Sequence, residues 1–130
     1  MKRVLIIDDE ERIRMLYTKL FVTAGILVRQ AGDARQATNI MIREDLDLVI
    51  LDIKMPGVDG KTMHEIIKEY NPALKVIISS VYPVDKQKAI IPCAWGYYDK
   101  SQGPVVLLEK ISKVLFPNLA VLAQPKKVVR

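Results

Sequence analysis

Short apolar runs, each ended by a polar or charged residue, recur along this chain between stretches of helical period. Residues 4–7 end at Asp8, Leu48–Leu51 at Asp52, Val76-Ile77-Ile78 at Ser79-Ser80, and residues 95–98 at Asp99-Lys100. Runs this short with no alternation suit strands buried on both faces, the habit of a parallel sheet. A weaker candidate, Ile26-Leu27-Val28, completes the set. The intervening segments carry apolar stripes of helical spacing. The first shows Ile13, Leu16, Tyr17, Leu20, Phe21 and Ala24, with Gly25 as its stop. The second is capped by Asp33 and shows Ala34, Ala37, Ile40 and Met41. The third begins after Gly60 and shows Met63, Ile66, Ile67 and Tyr70. The last opens at Gly103-Pro104 and shows Leu108, Ile111 and Leu115. Only the fourth is weak: residues 85–91 allow two turns before Pro92, which predicts a short or distorted helix. The alternation predicts a doubly wound α/β domain, one parallel sheet with helices on both faces.

Composition narrows the setting. A chain of 130 residues suits one domain, and at that length burial covers about two-thirds of the surface of the unfolded chain. The single cysteine, Cys93, cannot form an internal disulfide, and one histidine with one cysteine makes no zinc cluster. No apolar stretch approaches the roughly 18 residues of a membrane helix. After Met1-Lys2-Arg3, the apolar run before Asp8 is too short for a targeting segment. These features predict a cytoplasmic protein. The net charge of +5 gathers partly in residues 117–130, which hold Lys126, Lys127 and Arg130 and no acid. Without a nucleic-acid-binding module or interleaved aromatics, that stretch is read as a basic tail or linker, with neither nucleic acid nor membrane as partner.

In an open α/β sheet, ligands bind at the carboxyl ends of the strands. The alternation puts Asp8, Asp9, Asp52, Ser80 and Lys100 at such ends: three carboxylates, a hydroxyl and an ammonium on one edge. Each like-charge pair at about 4 Å costs roughly 4 kcal/mol at an effective dielectric near 20. Protons, Lys100 or a bound cation must compensate. An all-oxygen set with no histidine or cysteine favours a hard divalent ion, magnesium above all. A cation beside a carboxylate also makes a place for a phosphoryl group shared with Lys100. Taken singly, each residue has a plainer role. Asp8 or Asp9 would cap a helix, Asp52 would form a turn ahead of Pro56-Gly57, and Ser80 and Lys100 would be solvated strand ends. Their convergence is what points to chemistry.

The segments Val4-Leu5-Ile6-Ile7-Asp8-Asp9-Glu10 and Leu51-Asp52-Ile53-Lys54-Met55-Pro56-Gly57-Val58-Asp59-Gly60 resemble two motifs of response-regulator receiver domains. Residues 76–80 and Gly96-Tyr97-Tyr98-Asp99-Lys100 resemble the other two, in the family's order. The resemblance runs from about residue 2 to 116. It implies the flavodoxin-like (βα)5 fold of the chemotaxis protein CheY, with strand order 2-1-3-4-5. It also implies a phosphorylation switch fed by a sensor histidine kinase. By the same resemblance Asp52 is the phosphoacceptor; Asp9, Asp52 and the Lys54 carbonyl hold Mg2+; and Asp8 reaches the metal through water. Lys100 pairs with the phosphoryl group, Ser80 binds it, and Tyr97 turns inward in the active state. The output partner is a protein or domain docked on the face of helix 4, strand 5 and helix 5, with monomer and phosphorylation-dependent dimer both open. The chemistry is self-phosphotransfer and autodephosphorylation rather than turnover of a separate substrate.

Three positions depart from the family pattern. Ser101 follows Lys100 in place of proline, which excludes a prolyl cis bond there. Val81 replaces a small residue, and its bulk narrows the path for water or the phosphodonor; Pro92 interrupts the fourth helix, which predicts a remodelled output face. His64 is read as a surface or core histidine and Cys93 as an interior one. Trp95 and Tyr98 are read as strand side chains, and Met15, Met41, Met55 and Met63 as packing residues. A flavin-binding domain would need a Ser/Thr/Gly-rich loop where Asp8-Asp9-Glu10-Glu11 stands. An aspartate phosphatase of the haloacid dehalogenase type would need Asp-x-Asp, which neither acidic motif supplies. The remaining alternatives are a receiver fold that binds partners without phosphorylation, and the receiver portion of a longer regulator, with or without a DNA-binding output.

Overall fold

A computed structural model describes residues 1–122, with side chains described through Leu119; the basic residues Lys126, Lys127 and Arg130 lie outside the described part. The element order is β1 (Arg3–Ile7), α1 (Glu11–Thr23), β2 (Leu27–Ala31), α2 (Ala34–Arg43), β3 (Leu48–Leu51), α3 (Gly60–Tyr70), β4 (Lys75–Ser80), α4 (Val84–Ile90), β5 (Gly96–Asp99), a 3-10 turn at Lys100–Gln102, α5 (Pro104–Leu115) and α6 (Pro117–Leu122). All strand pairs are parallel and the sheet runs β2-β1-β3-β4-β5. This is the predicted doubly wound architecture and strand order.

The central strands divide the interior in two. Leu5, Ile7, Val49, Leu51, Val76 and Ile78 face Ala37, Met41, Met63 and Ile67 of α2 and α3. Val4, Ile6, Leu48, Ile50 and Ile77, one residue out of step, face Tyr17, Phe21, Leu107, Ile111 and Leu115 of α1 and α5. Successive strand side chains point to opposite faces, so an unbroken apolar run supplies both cores at once. Val4, Leu5, Ile6 and Ile7 are all fully buried, each contributing roughly 1.5–3 kcal/mol of burial free energy.

Local chemistry explains most element ends. The α1 helix stops in a left-handed turn: Gly25 has φ 81°, its N–H reaches Val22 O, and the Ile26 N–H reaches Phe21 O. Asp33 and Asp59 cap α2 and α3 by accepting hydrogen bonds from the Gln36 and Thr62 N–H groups, at 2.8 and 2.9 Å. The α3 helix therefore starts at Gly60 rather than after it. At that residue a methyl group would overlap the Asp52 carbonyl oxygen and lie 2.6 Å from the Ile53 Cα, while the Gly60 N–H donates to Ile53 O at 2.8 Å. Only glycine lets α3 close on the end of β3. Gly60→Ala is expected to cost about 1–3 kcal/mol by overpacking against backbone, read as a lower urea midpoint; an unchanged midpoint would show that the loop yields freely.

Several sequence expectations are corrected. Cys93 is exposed with φ 67°, because it turns the chain after Pro92 and the turn points its side chain outward. Trp95 precedes β5 and is 61% exposed, with Lys75 Nζ 4.6 Å from its ring centroid. The first stripe is narrower than its apolar residues suggest: Tyr17 and Phe21 are buried, Ala24 is the exposed C-cap, and Met15 and Leu16 are about half exposed. Tyr70 is likewise exposed, although its hydroxyl donates to Met41 O at 3.3 Å. In α5 the buried stripe includes Leu107, and Leu108 only flanks it. The strand β2 extends through Arg29 and Gln30, polar residues that an edge strand tolerates. His64 is buried, and burial lowers its pKa. The fourth helix is short, as expected, ending at Ile90.

Candidate functional site

Backbone pairing assembles the site before any side chain acts. The Asp52 N–H donates to Ile7 O at 2.9 Å, and the Asp8 N–H donates to Ala31 O at 3.1 Å. The β1–β3 and β1–β2 ladders thus run one step past their strands and bring Asp8 and Asp52 side by side at the carboxyl edge. Asp9, next in sequence, is exposed. Asp8, Asp9 and Asp52 each present a carboxylate oxygen within 4.8 Å of the others.

Lys100 enters from the turn after β5. Its Nζ lies 2.8 Å from Asp8 Oδ2 and 3.4 Å from Asp52 Oδ2, with the lysine side chain only 11% exposed. The other Asp8 oxygen accepts the Glu10 N–H at 2.9 Å, and the Asp8 carbonyl accepts Arg14 Nη1 at 2.7 Å. Asp8 is therefore fully engaged and Asp52 only partly. The turn bearing Lys100 is held by Asp99, whose Oδ1 accepts the Ser101 N–H at 2.9 Å. Proline at 101 would have no N–H for that bond, so the departure at this position is built into the lysine's mount.

Electrostatics follow from this geometry. Burial first, and then the Asp8 charge, push the Asp52 carboxyl up to about 6; Lys100 opposes the shift without cancelling it. Burial tends to lower the Lys100 pKa, but the Asp8 hydrogen bond and the charges of Asp52 and Asp8 outweigh it, and the net direction is upward. One ammonium does not neutralise three carboxylates, and the cluster has room for another positive charge. Its donors are all oxygen, which suits a hard cation such as Mg2+. A cleft of about 440 Å³ opens beside it, lined by Asp9, Lys54, Met55 and Tyr82 among others.

The remaining expected residues make their contacts elsewhere, with Tyr82 and with the turn after α4. Ser80 ends β4, is 1% exposed, and its Oγ accepts the Tyr82 N–H at 3.1 Å. Lys54 is exposed in the loop after Asp52, its Nζ 5.4 Å from the Tyr82 ring centroid. The Tyr97 hydroxyl donates to Ile91 O at 2.5 Å and accepts the Ala94 N–H at 3.1 Å, which ties it to the turn after α4. The close approach of Gly60 to the end of β3, and Gln87, escaped the sequence reading. The Asp59-Gly60 pair gave a signal for the first. For the second the signal was a polar residue on the stripe shared with Val84 and Ile91.

A family model described as the response regulator receiver domain matches residues 4–112. Among curated proteins, sporulation initiation phosphotransferase F of Bacillus subtilis (strain 168) is 37% identical over 81 residues, 62% of this chain. A protein-glutamate methylesterase/protein-glutamine glutaminase of Archaeoglobus fulgidus is 30% identical over 93% of this chain. The matched stretches span 65% of the first relative and 36% of the second. Among solved structures, the response regulator protein TrrA of Thermotoga maritima in complex with Mg(2+)-BeF has a TM-score of 0.80 at 32% identity, over 88% of this chain and 99% of that one. A structure of TrrA with the histidine kinase ThkA has a TM-score of 0.76 at 31% identity, over 88% and 99%.

Proposed function

The chain belongs to the response-regulator receiver family, and from that premise we propose that Asp52 takes a phosphoryl group from the phosphohistidine of a sensor histidine kinase. The observation that carries this reading is Asp52 itself, buried at a strand end, flanked by two further carboxylates, and in reach of one lysine. A carboxylate fixed in place attacks phosphorus without the entropy cost of a free encounter. As the Asp52 oxygen bonds to phosphorus, the phosphorus–nitrogen bond of the donor breaks and the imidazole leaves. Lys100 turns from the carboxylates to the new phosphoryl oxygens, and Ser80 supplies a hydroxyl to another. Asp9, Asp52 and the Lys54 carbonyl would hold Mg2+, with Asp8 acting through water. When bound, the ion would supply positive charge that offsets the charge gathering at the acceptor carboxylate.

The product adds about 1.5 to 2 negative charges to this edge. Ser80 and Tyr97 act as the switch, and the output surface is the face of α4, β5 and α5, remodelled here by the short α4 and Pro92. Residues 1–116 form the receiver and 117–130 a tail or linker. Both a stand-alone receiver and the receiver portion of a longer regulator fit this reading: the match spans 99% of TrrA and 36% of the methylesterase relative. Among the described residues no helix is long and apolar enough to cross a membrane. A kinase donor would place the domain on the cytoplasmic side, as monomer or phosphorylation-dependent dimer.

Intact mass after incubation with acetyl phosphate tests the reading. A gain of one phosphoryl group that requires both Mg2+ and Asp52 is expected. No gain in the folded protein, with a panel of kinases also inactive, would leave a receiver fold that binds partners without phosphorylation.

A further inference from the structure

The only buried residue of α4 is polar: Gln87 is 0% exposed. Its Nε2 donates two hydrogen bonds, to Tyr82 O at 2.8 Å and to Tyr98 O at 2.9 Å. Both acceptors are carbonyls, so the amide orientation is fixed, since Oε1 in place of Nε2 could donate to neither. That leaves Gln87 Oε1 buried with no hydrogen-bond partner, an arrangement native proteins rarely keep without a reason.

The partner it lacks lies within the turn it already holds. The Tyr82 N–H donates to Ser80 Oγ at 3.1 Å. A rotation that carries Ser80 Oγ itself to a phosphoryl oxygen on Asp52, rather than only its proton, would take the acceptor away from that N–H. That rotation would leave a free donor on Tyr82, the residue whose carbonyl Gln87 binds, while Gln87 carries an orphan acceptor. The other Gln87 bond ends at Tyr98, beside Tyr97, whose hydroxyl holds Ile91 O and the Ala94 N–H at the end of α4.

We propose that Gln87 is the positioning residue that couples Ser80 to the α4–β5 surface. In the phosphorylated state its Oε1 takes the Tyr82 N–H released by Ser80, and α4 moves with the side chain that re-pairs. This coupling rests on the phosphoacceptor reading of Asp52 and deepens it. A glutamine that merely pins α4 would make the same two bonds but would answer to no change at Ser80.

The test compares the parent with Gln87→Met, Ser80→Ala and the double variant, each with and without Mg2+ and beryllium fluoride. Amide exchange is followed across Val84–Ile90, together with the resonances of the Tyr82 N–H and the Gln87 side-chain amide. Intact mass after acetyl phosphate reports separately on Asp52. In the parent, beryllium fluoride is expected to change exchange by about fivefold or more, the lower end of ordinary coupling between sites. Gln87→Met is expected to load Asp52 as the parent does but to lose that response. In the Ser80→Ala background it is expected to add nothing further. A parent-like response in Gln87→Met would overturn the coupling, as would an equal effect of that substitution with and without Ser80. Should Gln87→Met not fold, the parent decides alone, and Tyr82 and Gln87 amide resonances unmoved by beryllium fluoride would overturn it. Failure of the parent to gain phosphoryl mass would instead remove the phosphoacceptor reading, and the coupling with it.

Discussion

Asp52→Asn is expected to end phosphoryl uptake and, at the same time, to make the protein more stable at pH 7. In the folded protein the Asp52 carboxyl is pushed from 3.8 to about 6, first by burial and then by the Asp8 charge. A raised carboxyl pKa means that the folded state binds more proton than the unfolded state between those values. Stability then falls as pH rises through that window, and the loss is complete above it. A shift of this size corresponds to roughly 3 kcal/mol. Asparagine keeps the shape and an acceptor for Lys100 but carries no charge to desolvate. Urea unfolding at pH 4.5 and 7.5 in EDTA should show a parent that loses stability with rising pH and a variant that does so less. Equal pH slopes in the two proteins would refute the assignment. Added Mg2+ is expected to stabilise the parent more than the variant.

Lys100→Met should act in the opposite direction. Lysine with a raised folded pKa contributes stability that is fully present below its ordinary value of 10.5 and is lost only as pH rises through the folded value. At pH 7 the whole contribution is in place. Its removal leaves Asp8, 2% exposed, and Asp52, 5% exposed, without their shared cation. Removing one partner of a buried ion pair costs about 3–5 kcal/mol. Part of that loss should return at pH 5, where Asp52 takes up a proton in place of the ammonium. Chemical unfolding of the Met variant at the two pH values measures this directly. A loss that is the same at pH 5 and pH 7 would mean that packing of the lysine stem, not its charge, holds the site.

The strands and the acidic edge were legible because each rests on local pattern. A residue at the end of an apolar run lies at the carboxyl edge wherever the strand sits, so Asp8, Asp52, Ser80 and Lys100 could be placed together from sequence. Burial within helices was less legible. Leu16 lies on the first stripe by spacing and Met15 is read as a packing residue, but both are about half exposed, since Tyr17 and Phe21 already fill the sheet face. Leu107 was displaced by Leu108 for a similar reason: the apolar residues of α5 outnumber its contact face. Cys93 was misplaced because residue type favours burial, whereas the turn after Pro92 orients it to solvent. Gly60 and Gln87 depend on contacts between segments distant in the chain, with the end of β3 and with the carbonyls of β4–α4 and β5. Spacing marks Gln87 as a polar residue on an apolar stripe, but it does not name the carbonyls that Gln87 binds.

The sheet also works as a bulkhead. Tyr82, Ile90, Ile91, Ala94 and Tyr97 all pack on the α2–α3 side, while α1 and α5 pack on the other. Two of the three departures from the family pattern, Val81 and Pro92, fall in the segments flanking α4. Substitutions there can reshape what the molecule shows a partner and leave the opposite compartment as packed as before. The acidic cluster sits on the rim common to both compartments, at the ends of β1 and β3. That separation divides the molecule's duties: the rim keeps its charges while the flank beside α4 is free to change shape.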